Sequence, residues 1–175
     1  MILESGDITL RPLERTDREP MAELLNNKKV WDNLRDLIPF PYSTRDAALF
    51  ISQTHKNRFY ITFGIAYQGS FAGIIGLIPK EDVYRNSMEL GYWLGEPYWN
   101  KGIVTEAVRL ICDYAFENLT INRIFSEVFE YNPASMKVLE KTGFKKEGVA
   151  RKAILKNEQL WDNHLYSLLK DDLKS

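Results

Sequence analysis

A glycine-punctuated loop running into a long helix is where residue types and spacing in this 175-residue chain bear most directly on chemistry. The stretch GYWLGEPYWNKGIVTEAVRL, residues 91–110, begins as a strand, passes Gly95, Pro97 and Gly102, and continues with helical periodicity. The first turn of a helix has N–H groups without intrahelical partners and the positive end of the helix dipole, so it attracts a phosphate or pyrophosphate. Gly102 lets the backbone approach such a ligand closely, and Lys101 adds charge. A junction glycine also serves turn geometry alone, so both readings stand at this point. The chain has neither G-x-x-x-x-G-K-S/T nor G-x-G-x-x-G, which argues against a nucleotide P-loop or a Rossmann dinucleotide site.

Other reactive residue types are few. Cys112 is the only cysteine, so no intramolecular disulfide forms, and its apolar helical setting reads as a small core side chain. His55 and His164 fall in a predicted helix and a late strand, where satisfied or solvated side chains are the plain reading. No Cys–His or Ser–His–Asp arrangement is evident, and no metal is expected.

The elements that must position these residues follow from pattern and punctuation. Residues 8–13 read as a strand, and Thr16–Glu19 has the capping-box form before a helix whose apolar face is Met21, Leu24 and Leu25. A second box, Ser43 to Asp46, starts another helix. Between them residues 30–43, rich in aromatics and Pro, read as a loop. Strands are predicted at 59–67 and 71–78 around Gln68-Gly69-Ser70, and at 88–94, where Met88, Leu90, Tyr92 and Leu94 face one way and Glu89, Gly91 and Trp93 the other. A helix over 105–118, a strand over 123–130 and a helix capped by Asn132, opened by Pro133 and stopped by Gly143 come next. A hairpin of 150–155 and 160–169 closes the chain. The expected fold is α/β of the α+β type: a mixed, largely antiparallel sheet of about seven strands flanked by helices, in a single domain over residues 1–175.

Composition narrows the function classes. With 23 basic and 24 acidic residues the net charge is −1, which gives no electrostatic reason to expect nucleic acid as a partner. No apolar run approaches the ~20 residues of a membrane span, and the first residues lack the pattern of a signal peptide. A cytoplasmic protein, with no membrane partner, is expected.

Residues 91–110 together with NPASMKVLEKTGFKKEGVARK, residues 132–152, resemble the GNAT N-acetyltransferase superfamily, and within it the ribosomal-protein N-terminal acetyltransferase branch. The resemblance spans essentially the whole chain, from the ITLRPL strand to a last hairpin with Asp162 and Tyr166. It implies acetyl-CoA (coenzyme A) bound between two splayed strands, 88–94 and 123–130. The pantetheine arm would pair with backbone of Trp93 and Leu94. The pyrophosphate would rest on amides of Asn100, Lys101, Gly102, Ile103, Val104 and Thr105, and Asn132 would hydrogen-bond the arm. Trp99 and Val104 depart from the superfamily's usual Arg or Gln and small residue.

Acetyl transfer to an amine needs a neutral nucleophile, donors for the oxyanion and help for the departing thiolate. A backbone N–H near Leu94 is the expected oxyanion donor. Glu89 is the candidate base and an acceptor-site residue, with Glu127 in reserve. Many superfamily members place a Tyr acid where this chain has Leu139. Ser135, one turn earlier on the same face, is the candidate in its place, either for the thiolate or as a cofactor contact. The acceptor is expected in the loop 31–42, with Phe40 and Tyr42 as aromatic walls, although a hydrophobic plug would have the same composition. The acceptor amine is a protein N-terminus or a small molecule such as a polyamine, amino acid or antibiotic. A non-catalytic acyl-CoA-binding module is the other reading that Leu139 keeps open. The oligomeric state is left as monomer or homodimer.

Overall fold

Runs of β-branched and aromatic residues build one eight-stranded sheet in the computed structural model, which describes residues 1–56 and 60–174. In chain order the elements are β1 (Leu3–Ser5), β2 (Ile8–Arg11), α1 (Arg18–Leu25), α2 (Lys28–Trp31), α3 (Thr44–Lys56), β3 (Ile61–Tyr67), β4 (Ser70–Pro79), β5 (Ser87–Leu94), α4 (Ile103–Asn118), β6 (Arg123–Phe129), α5 (Pro133–Lys141), β7 (Lys145–Lys156) and β8 (Gln159–Leu169). The strand order is β1-β2-β3-β4-β5-β6-β8-β7. Only β5 and β6 run parallel; the remaining neighbours are antiparallel.

Local signals explain most boundaries. Gln68 and Gly69 take φ of 51° and 81°, the left-handed pair that a tight β3–β4 hairpin requires. Ser43 and Asp46 form the reciprocal cap of α3: Ser43 N donates to Asp46 Oδ2 at 2.8 Å, and Asp46 N donates to Ser43 Oγ at 3.2 Å. Asn132 Oδ1 accepts from Ser135 N at 3.1 Å and caps α5. The first predicted box is displaced: Glu14 and Asp17 form it around a single 3₁₀ turn, and α1 follows at Arg18.

The sheet differs from expectation in three places. β1 adds an eighth strand, β7 begins five residues before the predicted 150, and α2 occupies the start of the expected loop. Residue 59, predicted to open the second strand, lies outside the described residues.

Both faces of the sheet are covered. On one, α4 and α5 bury Ile111, Cys112 and Leu139 against Leu10, Ile65 and Leu90. On the other, α1, α2 and α3 bury Met21, Val30 and Ile51 against Leu13, Phe71 and Trp93. Each fully buried Leu or Ile side chain contributes about 1.5–3 kcal/mol before entropy is charged against it.

The β5–β6 pairing creates the opening that matters for function. The two strands pair only through Ser87↔Arg123, Met88↔Ile124 and Glu89↔Phe125. Beyond Glu89, β5 stays with β4 to Leu94 and β6 stays with β8 to Phe129. Ser126 Oγ donates to Leu90 O at 3.0 Å across the apex of the resulting wedge.

Candidate active site

Strand alternation decides which backbone groups face the wedge. Gly95 N donates to Ala72 O at 2.9 Å, so residues 95, 93 and 91 are the ones bonded to β4. Tyr92 and Leu94 therefore turn their N–H and C=O toward the opening, as the Ser126 bond to Leu90 O requires. Trp93 is removed from the opening: its backbone pairs with Ile74, and its ring packs edge-on against Phe71 at 6.0 Å on the far face. The Leu94 carbonyl is taken by Trp99 Nε1 at 2.7 Å. That bond gives Trp99 a purpose, since it ties the loop back onto β5 and leaves the Leu94 N–H directed into the wedge.

The loop ends at the wide side of the wedge on the first turn of α4. Glu106 N, bonded to Gly102 O at 3.1 Å, is the first closed rung. The amides of Ile103, Val104 and Thr105 precede it and have no carbonyl one turn back to take them. Asn100 and Gly102 hold φ of 60° and 76°, which curls the backbone ahead of the helix. A Cβ built on Gly102 would meet nothing within 4 Å, so this side of the turn is open to a ligand. Lys101 Nζ lies 5.7 Å from the ring centroids of Tyr67 and Tyr98 and adds positive charge at the same end. These residues fit a pyrophosphate-bearing coenzyme.

A hydroxyl pair joins the two sides of the wedge. Tyr92 OH and Ser135 Oγ are 2.7 Å apart. Burial pushes the Tyr92 phenol well above its ordinary value, so it stays protonated. Leu139, at the superfamily's Tyr position, is fully buried in the core beside them. Alternation along β5 shows which face Tyr92 takes, but its hydroxyl partner lies 43 residues away, and only the fold brings the two together.

The opposite face of β5 carries Glu89, which is only 8% exposed. Lys80 Nζ contacts Glu89 Oε2 at 2.7 Å, Arg35 binds Oε1, and Arg35 also reaches Glu127 Oε2 at 3.9 Å. Burial acts to raise the Glu89 carboxyl, but the hydrogen bond from Lys80 and the charges of Arg35 and Lys80 outweigh it and hold it below the usual carboxylate value.

The loop over this face is fastened from beneath. Lys156 is 2% exposed; its Nζ lies 3.3 Å from the Trp31 ring centroid and donates to Leu34 O at 2.9 Å and Asp36 Oδ1 at 2.6 Å. Tyr131 OH donates to Asp32 O at 2.6 Å. Phe40 is exposed and leans on Trp31, with ring centroids 5.2 Å apart. Tyr42 is not a wall. It is 6% exposed, packs among the α1–α3 side chains and points its hydroxyl at Met21 Sδ, because Asn26 brackets its backbone and draws it under the loop.

The remaining candidates stay outside the chemistry. His55 Nε2 contacts Leu13 O at 2.9 Å, whereas the partly exposed His164 has a buried Nδ1 without a hydrogen-bond partner. Burial raises the Cys112 thiol, in keeping with a core role. Among the described residues no group of three or more His, Cys, Asp or Glu is placed to hold a metal, and no helix is long and apolar enough to cross a membrane.

Comparison with known proteins agrees with this geometry. Residues 7–145 match the family model of the acetyltransferase (GNAT) domain. The chain is 35% identical over 172 residues to the probable N-acetyltransferase YjcK of Bacillus subtilis (strain 168), covering 93% of each chain. It is 29% identical over 152 residues to the ribosomal protein uS5-alanine N-acetyltransferase of Escherichia coli (strain K12), covering 85% of this chain and 77% of that one. The crystal structure of the microcin C7 self-immunity acetyltransferase MccE, in complex with acetyl-CoA and AMP, superposes with a TM-score of 0.82 at 26% identity, over 94% of this chain and 93% of that one. Wedge, helix start and sequence together show that this chain belongs to the GNAT family and is an N-acetyltransferase.

Proposed function

We propose that the acceptor is a primary amine at the N-terminus of a protein, a ribosomal protein being the acceptor class that the sequence resemblance favours. The wedge between β5 and β6 carries the reading: it leads from the α4 amides on one side of the sheet to the Glu89 carboxylate on the other. A groove of about 370 Å³ on that face is lined in part by Lys80, Phe125, Glu127 and Leu165. The relative named for a ribosomal protein alanine acceptor adds support.

Acetyl-CoA supplies the acyl group as a thioester. Asn100 to Thr105 hold its pyrophosphate, and the Leu94 and Tyr92 N–H groups, fixed by the sheet, donate to the oxyanion. Asn132, whose Oδ1 caps α5, has its amide N–H₂ left to meet the arm. Glu89 takes the amine proton. At ~3.3 Å per residue its Cα lies about 10 Å from that of Tyr92, so the proton travels through water. Either hydroxyl of the Tyr92–Ser135 pair can donate; in the proposed relay Tyr92 donates to Ser135 Oγ, and the Ser135 hydrogen turns toward the departing thiolate. This pair supplies the hydroxyl that Leu139 lacks and removes the reason for a non-catalytic binding module.

Thiol release in the presence of acetyl-CoA, with peptides of ribosomal N-terminal sequence set against polyamines and free amino acids, tests the acceptor class. Turnover of the peptides at higher kcat/KM than every small amine is the expected result; the reverse order transfers the assignment to a small-molecule acceptor.

A further inference from the structure

Arg35 bridges two carboxylates on the face of the sheet that carries Glu89. Its side chain is 59% exposed, yet it binds the mostly buried Glu89 and approaches Glu127, and so spans two carboxylates on the acceptor face. Glu89 does not depend on it for neutralisation, because Lys80 holds the other carboxylate oxygen at 2.7 Å. An exposed pair of this kind is worth at most about 1 kcal/mol, too little to make it a structural necessity.

The chain also goes to some length to aim this side chain. Lys156, itself buried, grips the carbonyl of Leu34 and the carboxylate of Asp36, the residues on either side of Arg35. Trp31 Nε1 donates to Ile38 O at 2.8 Å and closes the loop around them. The backbone at 35 is pinned while the guanidinium stands in solvent. The groove lined by Lys80 and Glu127 lies beside the two carboxylates that Arg35 spans.

We propose that Arg35 is a built-in cationic plug: its guanidinium occupies the place where the positive charge of the acceptor binds, and a cationic acceptor enters by displacing it. The inference rests on the amine-acceptor reading of this face and deepens it, naming a cationic amine as the substrate class and Arg35 as the residue that sets the threshold for entry. After displacement the second cation beside Glu89 is the acceptor's own ammonium, so the carboxylate faces the group whose proton it takes.

Two measurements test this. Methylguanidinium chloride, a mimic of the Arg35 side chain, is titrated by NMR into wild type, Arg35→Ala and Arg35→Ala/Glu127→Gln. The single variant should bind about ten-fold more tightly than wild type, and the added Glu127→Gln should remove most of that gain. Equal binding to wild type and Arg35→Ala overturns the plug. With the best peptide or amine from the acceptor screen, Arg35→Ala should lower the acceptor KM about five-fold and leave the acetyl-CoA KM unchanged, and Arg35→Lys should restore the wild-type value. A higher acceptor KM in Arg35→Ala overturns the proposal, since it would make Arg35 a contact that holds the acceptor. If no primary amine is acetylated at all, the functional reading falls, and the methylguanidinium titration still decides the plug.

Discussion

Glu89→Gln preserves size and removes the charge that Lys80 and Arg35 share, so it separates the base from the scaffold. General bases contribute about 10²–10⁴-fold. Glu89 is depressed in basicity and works through water, which places it at the lower end. The expected loss is about 10²-fold in kcat/KM, or about 2.7 kcal/mol of transition-state stabilisation, with the acetyl-CoA Kd unchanged. The loss should shrink as pH rises, because more of the amine is neutral without assistance. Stability gives an independent reading of the same carboxylate. Its folded pKa lies below the unfolded value near ~4.3, so its contribution is present above that pH and is lost as pH falls through the folded value. Both partners are more than a third exposed, so solvent screening keeps the contribution within about 1 kcal/mol. The variant should therefore melt slightly below wild type at pH 7, and the two should converge in acid. Thiol-release kinetics across pH, calorimetry with acetyl-CoA and thermal melts measure all three quantities. A folded Glu89→Gln protein with wild-type kcat/KM at neutral pH would refute the assignment and leave Glu127 or bulk water as the base.

Gly102→Asp should weaken acetyl-CoA binding about ten-fold by calorimetry, on the order of 1.4 kcal/mol, by setting a carboxylate beside the open amides; Gly102→Ala serves as the control for left-handed strain. Ser135→Ala and Tyr92→Phe should each lower kcat about ten-fold, and the double variant should lose little more than either, as expected of one relay. A change confined to the acetyl-CoA KM would make the pair a cofactor contact. Leu139→Tyr should lower thermal stability by about 1–3 kcal/mol without raising kcat, because the position is fully buried and has no room for a ring and hydroxyl. A more active, equally stable variant would show that the helix can host a tyrosine acid after all.

Features set by a few neighbouring residues were legible in the chain itself. The β3–β4 turn, the Ser43–Asp46 cap, the Asn132–Pro133 start and the Gly143 stop depend on local backbone chemistry, and each is found where its residues stand. Features set by distant partners were not. β1 is three residues long and is held by β2 and by Ser5 Oγ on Glu106 Oε1 at 2.8 Å, neither of which leaves a periodic signal. The early residues of β7 are mostly exposed, so no alternation marks them, and β8 supplies their order. Tyr42 had the composition of a loop residue and the burial of a core residue, a difference made by Asn26 sixteen positions away. For the candidate site, the open helix-start amides and the position of Glu89 on its strand face follow from local pattern. Tyr92 with Ser135 and Arg35 with Glu89 join residues 43 and 54 positions apart, and only the fold pairs them.

The placement of both chemistries on one strand follows from the two-residue period of β5. Its even-numbered side chains point toward α4 and α5, which puts Tyr92 against Ser135, and its odd-numbered side chains point toward the loop, which puts Glu89 against Arg35. The same alternation sends the even-numbered backbone groups into the wedge once β6 has left. Three registered pairs hold β5 to β6 rigidly up to Glu89, and release begins one residue later. The proposed base, Glu89, thereby stands at the last paired position, while the Tyr92 and Leu94 backbone groups proposed as oxyanion donors lie just past it in open backbone. A one-residue slip of β5 against β4 would exchange every one of these assignments, so the β4–β5 register is a condition of activity as much as of stability. Gly73 is what this register requires at that position: a Cβ there would meet the Trp93 carbonyl oxygen at 2.2 Å, so the close pair Gly73↔Leu94 forms only with glycine.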